Sequence, residues 1–300
     1  MVVITGDGPA PPRLVVLGSI NQDITVITAH LPDPGQTVMG TALRRTLGGK
    51  GANQAVSAAK AGAQVAMIGC VGADAEATML VAELASHGVD IARVRRVQEP
   101  TGTAVITVEA SAENTIVVVP GANGALLVLG DDDLDEIAGA DLLLLQLELP
   151  IAVVLAGAGA AARAGVPVLL NPSPAQTLPP QLLAGLTILV LNEGEAAALG
   201  PAALASARHL VTTLGARGAT YAGPEESFSV PAPVVAALDT TGAGDAFVGA
   251  FAAAWARGDS PLSAVRRGCT AGALAATQPG AGTAAPTSAA IDELAASTYG

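Results

Sequence analysis

Short uncharged apolar runs recur along this chain, and alanine-rich stretches lie between them. Residues 14–17, 65–68, 142–147, 166–170, 188–191 and 210–213 read as strands. They lack the polar alternation of a strand with one wet face, so both of their faces must be covered. Residues 50–61, 75–86 and 151–164 read as helices that cover them. The rhythm predicts an α/β fold with a doubly wound, mostly parallel sheet flanked by helices. Ligand chemistry then belongs beyond the carboxyl ends of the strands. Two regions break the rhythm. Residues 24–28 with 37–43, and 103–109 with 115–119, read as paired strands without intervening helices, a small β lid on the main sheet. Residues 1–12 read as a loose tail, and 13–300 as one domain carrying lid segments near 24–43 and 103–119.

Charge and cysteine usage narrow the partners. A net charge of −12 repels a nucleic-acid backbone, so an anionic ligand needs a local pocket of N–H groups and a few cations. The longest uncharged stretch, 164–192, is broken by Pro167, Pro172, Pro174, Pro179 and Pro180, so no membrane helix is expected. The first residues have no basic start and no long apolar core, unlike a signal peptide. Cys70 and Cys269 are too few for a disulfide framework and fit a reducing cytoplasm.

Five short motifs carry the chemistry. In "DTTGAGDAF", residues 239–247, glycines directly before an apolar run let backbone N–H groups converge where a helix dipole adds partial positive charge. Gly242, Ala243 and Gly244 then form an anion site, and Asp245 at its lip is placed to receive a proton. A plain helix N-cap explains the same residues. Phe247 stands where a dinucleotide fingerprint needs a third small residue. In "LGGKGANQA", residues 47–55, Arg44 and Gly51 stand where a P-loop needs Gly and Ser/Thr, so the stretch is a polar cradle of another kind. Of the 14 Lys and Arg residues only Lys50 and Lys60 are lysines, and Lys50 sits in this cradle.

"GSINQD" sets Asn21 and Asp23 past the first strand, and Gln146 and Glu148 lie two apart at the end of 142–147. Each reads as a solvated strand end by itself. Together they offer the amides and carboxylates that vicinal hydroxyls require. "NEGE" gives Asn192 and Glu195, an N-cap with a capping acid or a pair that orients a hydrated Mg²⁺.

"LGSINQD", "PGQTVMG", "GGKGANQA", "PGAN", "LNPSPA", "LNEGE", "TLGARG" and "DTTGAGD" follow one another in the order and approximate spacing of the phosphofructokinase-B carbohydrate kinases. The chain resembles that family from about residue 14 to 286, and "GSINQD" with "GGKGANQA" resembles its ribokinase branch. The resemblance implies a ribokinase-like fold and a cytoplasmic, ATP- and Mg²⁺-dependent kinase acting on the terminal hydroxyl of a pentose, foremost ribose at O5. Deoxyribose, a ketohexose or a nucleoside are the alternatives, as is a sugar- or nucleotide-binding regulator without catalysis.

By the same resemblance, Asn21, Asp23, Gly49, Lys50, Asn53 and Glu148 hold the sugar. Asn192, Glu195, Thr213, Gly215, Gly218, Gly244 and Cys269 face the nucleotide. Gly242, Ala243 and Gly244 form the anion hole and Asp245 is the base. Asp239, Thr241, Ala275, Gln278, Gly280 and Ala284 stand where the family holds a monovalent cation, usually potassium, and the lid is expected to pair two copies into a homodimer. Three departures stand out. The segment between Asn192 and Thr213 is short, Cys269 replaces an Asn or His, and Ala284 replaces a hydroxyl residue.

Overall fold

The structure, a computed structural model, describes residues 10–109, 114–280 and 284–300. The remainder of the expected tail, residues 1–9, lies outside them, as do 110–113 of the lid and 281–283. Along the chain run β1 (Arg13–Leu17), β2 (Asn21–Thr28), β3 (Gly40–Gly48), α1 (Lys50–Lys60), β4 (Gln64–Gly72), α2 (Ala75–Ser86), β5 (Val89–Val97), β6 (Gly102–Val108) and β7 (Asn114–Val119). There follow α3 (Ala122–Ala125), α4 (Asp131–Ala138), β8 (Leu142–Leu145), α5 (Ile151–Ala164), β9 (Val168–Leu170), α6 (Pro180–Ala184), β10 (Ile188–Asn192) and α7 (Glu193–Leu204). The chain closes with β11 (His209–Thr213), a 3₁₀ turn (Gly215–Arg217), β12 (Ala219–Ala222), β13 (Ser227–Val230), α8 (Ala243–Ala256), α9 (Pro261–Ala275) and α10 (Ser288–Tyr299).

The apolar runs line up in a nine-stranded sheet of order β13-β12-β11-β10-β9-β8-β1-β4-β5. Pairing is parallel from β11 to β5 and antiparallel at β11–β12–β13. Successive side chains of a strand face opposite ways, so Leu14 and Val16 of β1 enter one core and Val15 and Leu17 the other. Residues of α1, α2, α8 and α9 close the first core, and residues of α5 and α6 close the second. From β1 the chain builds outward through β4 to β5, and from β8 the other way through β9 to β11. The crevice beyond β1 and β8 is therefore the topological switch point, where such sheets take ligands.

A second sheet, β3-β2-β6-β7, rises over that crevice. Asn21 and Asp23 lie past β1, as expected, and are among the first residues of lid strand β2, which Asn21 opens. Strand β8 stops at Leu145, so Gln146 and Glu148 lie beyond it rather than on it.

Helix α1 carries Lys50 and Asn53 of the expected site and α8 carries Ala243, Gly244 and Asp245, and the two helices cross in close contact. A Cβ added at Gly249 would lie 2.5 Å from Ser57 Cβ and 2.7 Å from Ala58 N, while Ser57 Oγ donates to the Ala246 carbonyl at 2.9 Å. The seam is lined by small residues, which is why α1 and α8 are rich in Ala and Gly. Gly249→Val should therefore overpack it and lower stability by about 1–3 kcal/mol in chemical denaturation. Gly159 of α5 meets only the tip of Arg163, at 3.4 Å, and Gly159→Ala should instead gain up to about 1 kcal/mol. Equal effects at the two positions would mean that the α1–α8 seam is not tight.

Candidate active site

The candidate residues gather around two adjoining cavities beyond the switch point. The larger, about 960 Å³, is lined by Asn21, Asp23, Gly49, Lys50, Asn53 and Glu148, which are all six residues expected to hold the sugar. Asn123 lies there too, and Ala104, Ile106, Ile116 and Val118 of the lid form an opposite, apolar wall. The narrower cavity, about 120 Å³, is lined by Asn171, Asn192, Glu195, Thr213 and Gly244. Lys50, Gly242 and Asp245 line both. A group passed from one cavity to the other would cross at those three residues.

Glu148 organises the first cavity. Its Oε2 accepts from Ser19 Oγ at 2.5 Å and from the Lys50 N–H at 3.0 Å, so it caps the otherwise uncapped start of α1. Asn123, missed in the sequence although it ends "PGAN", donates to Asn21 Oδ1 at 2.7 Å and accepts from the Ile20 N–H at 2.9 Å. Asp23 is different. Its Oδ1 is buried without a partner among the described residues. Burial foremost, then the charges of Glu148 and Asp245, push its carboxyl up to about 7 against the opposing pull of Lys50. The Lys50 ammonium is raised in turn, chiefly by Asp245 and against the cost of burial. A buried acceptor short of donors, beside a fixed cation, suits a ligand rich in hydroxyls.

In the structure "DTTGAGDAF" is not an ordinary side-chain N-cap. Helix α8 has no side-chain cap; its N-cap is Gly242, at φ 76°, a left-handed conformation that glycine adopts readily. Asp245, in the first turn, does not reach back to cap the helix. Its Oδ1 accepts from Gln54 Nε2 at 2.8 Å and its Oδ2 from Asn53 Nδ2 at 3.2 Å. The expected trio of converging N–H groups needs one correction, because the Ala243 N–H is donated to the Thr240 carbonyl at 3.2 Å. The N–H groups of Gly242 and Gly244 show no partner among the described residues.

Among the residues expected to face the nucleotide, Asn192 and Glu195 form the capping box of α7. The Glu195 N–H donates to Asn192 Oδ1 at 2.8 Å, and the Asn192 N–H to Glu195 Oε2 at 2.9 Å. Thr213 pairs with Asn192 across β10 and β11, whereas Gly215 and Gly218 flank the turn beyond. The shortened segment holds α7, which is broken at Gly200 and buries no residue, and then the first residues of β11, where Val211 is buried. Cys269 departs from expectation. It is 4% exposed in the core, with Sγ 4.0 Å from the Val230 carbonyl, and burial pushes its thiol up to about 12. The side chain faces packed backbone instead of an open cleft.

Asp239 ties two loops together. Its Oδ1 accepts from the Thr241 N–H at 2.9 Å and its Oδ2 from the Gly280 N–H at 3.1 Å. Burial alone would raise this carboxyl, but those hydrogen bonds outweigh it and hold it below the usual range. The Ala276 carbonyl accepts from Leu238 and Asp239, and the Gln278 N–H turns back to Ala275. The expected cation residues are thus brought together, except that Ala284 is reached only through residues outside the description. No group of three or more His, Cys, Asp or Glu with metal-site geometry occurs among the described residues, and none of their helices is long and apolar enough to cross a membrane.

Comparison with known proteins extends this geometry to a lineage. The chain is 39% identical over 292 residues to the ribokinase of Haemophilus influenzae, covering 91% of this chain and 95% of that one. It is 36% identical to the ribokinase of Bacillus subtilis, over 94% of this chain and 99% of its relative. Among solved structures it matches the Arabidopsis thaliana ribokinase complexed with ribose and ATP at a TM-score of 0.88 and 33% identity, across 95% of this chain and 99% of that one. The pfkB family carbohydrate kinase pattern runs through residues 11–288. Likeness of that extent settles descent, and with it the reaction type: this chain belongs to the pfkB family of carbohydrate kinases and is an ATP-dependent sugar kinase.

Proposed function

We propose that the chain phosphorylates ribose at O5. The observation that carries this reading is the meeting of the two cavities at Lys50, Gly242 and Asp245. Ribose occupies the larger cavity, with its hydroxyls against Asn21, Asp23, Asn53 and Glu148. The ATP phosphates enter the narrower one beside Asn192 and Thr213. Asp245 Oδ2 takes the O5 proton as oxygen bonds to the γ-phosphorus and the bond to ADP breaks. The Gly242 and Gly244 N–H groups meet the charge on the transferring group, and Lys50 stays charged between the cavities. Ribokinase relatives, one solved with ribose and ATP, support the choice of sugar. Cys70 and Cys269, free and buried, suit a reducing cytoplasm.

Two cations belong to the proposal. Glu195 has one carboxylate oxygen engaged by the Asn192 N–H and lines the nucleotide cavity, so it and Asn192 suit a hydrated Mg²⁺. Bound there, Mg²⁺ would neutralise phosphate charge. Asp239 and the neighbouring carbonyls of Thr241, Ala275, Gln278 and Gly280 form an oxygen-rich loop pair suited to potassium, which would order the turn before the anion hole. Ala284 brings no hydroxyl, so its part falls to the carbonyl and water.

The outer lid face leaves Leu43, Val105, Val117 and Val119 exposed. A second copy pairing there would cover them, giving a homodimer. Sedimentation at micromolar concentration should find a dimer, and a strict monomer would refute it.

Asp245→Asn should cut turnover by about 10²-fold or more while ribose binding moves only a few-fold. ATP consumption on ribose, deoxyribose, ketohexoses and nucleosides should favour ribose. Normal turnover in the variant would remove Asp245 as base, and no turnover on any sugar would leave the binding regulator.

Asp23 gives a pH dependence with a definite sign. Below about pH 7 its carboxyl holds a proton in the sugar-free protein. Sugar hydroxyls that donate to it favour the ionised form, so binding releases a proton and weakens as pH falls. Ribose affinity by calorimetry should drop below pH 7, approaching about tenfold per pH unit. A flat profile would separate Asp23 from the sugar.

Potassium should activate, saturating only at high concentration because Ala284 lacks a hydroxyl. Titration against choline at fixed ionic strength tests this. A flat rate would mean that protein contacts alone order the glycine turn.

A further inference from the structure

Behind Asp245 lies a chain of amides that the sugar and nucleotide roles leave unused. Gln54, fully buried next to Asn53 on α1, donates through Nε2 to Asp245 Oδ1 at 2.8 Å and to Asn171 Oδ1 at 3.0 Å. Gln146 Nε2 donates to Gln54 Oε1 at 2.7 Å. Asn171 Nδ2 donates to the Val190 carbonyl at 3.0 Å.

The direction of every one of these bonds is forced. A backbone carbonyl only accepts, so Asn171 must turn its NH₂ to Val190 and its oxygen to Gln54. A carboxylate base also only accepts. Gln54 therefore faces two acceptors, and its two N–H bonds are both committed. Its own oxygen then points at Gln146, which must answer with NH₂. Gln146 Oε1 is left buried without a partner among the described residues. The network accepts that orphan atom, and in return it keeps the Gln54 donor on Asp245.

We propose that Gln54 is a positioning residue that pins Asp245 Oδ1 and so makes Oδ2 the oxygen that takes the sugar proton. Oδ1 is held from the interior side by a short bond from a side chain that cannot rotate. Among the described residues Oδ2 has the longer, 3.2 Å contact from Asn53, itself on the wall of the larger cavity. When Oδ2 gains the proton, Oδ1 still accepts from Gln54, so Gln54, Asn171 and Gln146 keep their orientation and only the longer Asn53 contact has to yield. A proton on Oδ1 would set a donor against a donor. Gln146 acts one step further back by holding Gln54 in its working orientation.

This inference rests on the reading of Asp245 as base, and the experiment separates the two. Ribose-dependent ATP turnover, ribose and ATP binding, and thermal unfolding are compared for the wild type, Asp245→Asn, Gln54→Leu, Gln146→Met and Gln146→Glu. Gln54→Leu removes the donor and should lower kcat by about 10–100-fold with the KM for ribose and for ATP within about threefold. Gln146→Met removes the orphan oxygen along with the donor, and should keep the fold while lowering kcat by only about 3–10-fold. Gln146→Glu, whose carboxyl burial keeps protonated, can still donate to Gln54 Oε1, so its loss in kcat should be smaller than that of Gln146→Met. If Gln54→Leu fails to fold, the two Gln146 variants decide alone. Unchanged kcat in the variants that fold, or a loss shared equally by both KM values and by unfolding temperature, would overturn the positioning role. Normal turnover in Asp245→Asn would instead overturn the base assignment beneath it.

Discussion

The site depends on how closely α1 and α8 approach. Neither helix is amphipathic in the ordinary sense; every residue from Asp245 to Ala254 is buried. Gly249 against Ser57, with Ala and Gly around them, lets the two backbones come within side-chain-free distance. Only at that spacing do Asn53 and Gln54 of one helix touch the carboxylate of the other. A larger residue in the seam would part the helices and open the whole polar cluster. The large sheet supplies the rest, because its switch point places the start of α1 over the ends of β1 and β8.

Much of this was legible in the sequence, and for a physical reason. Strands covered on both faces are continuous apolar runs, so β1, β4, β8, β9, β10 and β11 showed themselves. Strand β5 did not, since Arg93, Arg95 and Arg96 break its pattern at the sheet edge, where solvent reaches them. Strands β12 and β13 are four residues each and antiparallel, too short for any period to register. The residues of the two cavities were legible because loops beyond strand ends concentrate Gly, Asn and Asp. Gln54, Gln146 and Asn171 form a cluster that depends on three elements meeting in space, and no local spacing announces that. Cys269 is the opposite case: the resemblance implied a nucleotide-facing residue, while the packing of α9 against β13 turns it into the core.

Charge in the site is uneven by design of the fold. Asp23, Glu148 and Asp245 surround Lys50, and the strain of that imbalance falls on Asp23. Glu148 is relieved by the start of α1 and by Ser19, and Asp245 by two amides. The residue with fewest donors is the one on the lid strand, facing the larger cavity. A buried polar atom left unpaired costs about 1–3 kcal/mol, which a hydroxyl-bearing ligand returns when it binds.

Asn53 and Gln54 are consecutive residues of one helix, yet one faces the larger cavity and the other braces the carboxylate behind it. Any rotation or shift of α1 that refitted Asn53 to a different ligand would drag Gln54 off Asp245. On the proposed roles of these residues, recognition and reactivity are linked by the helix itself. A lineage that keeps this helix can explore new sugars only from the other side of the cavity, by exchanging the apolar lid residues Ala104, Ile106, Ile116 and Val118. Substrate drift in such proteins should be written in the lid, while α1 stays nearly fixed.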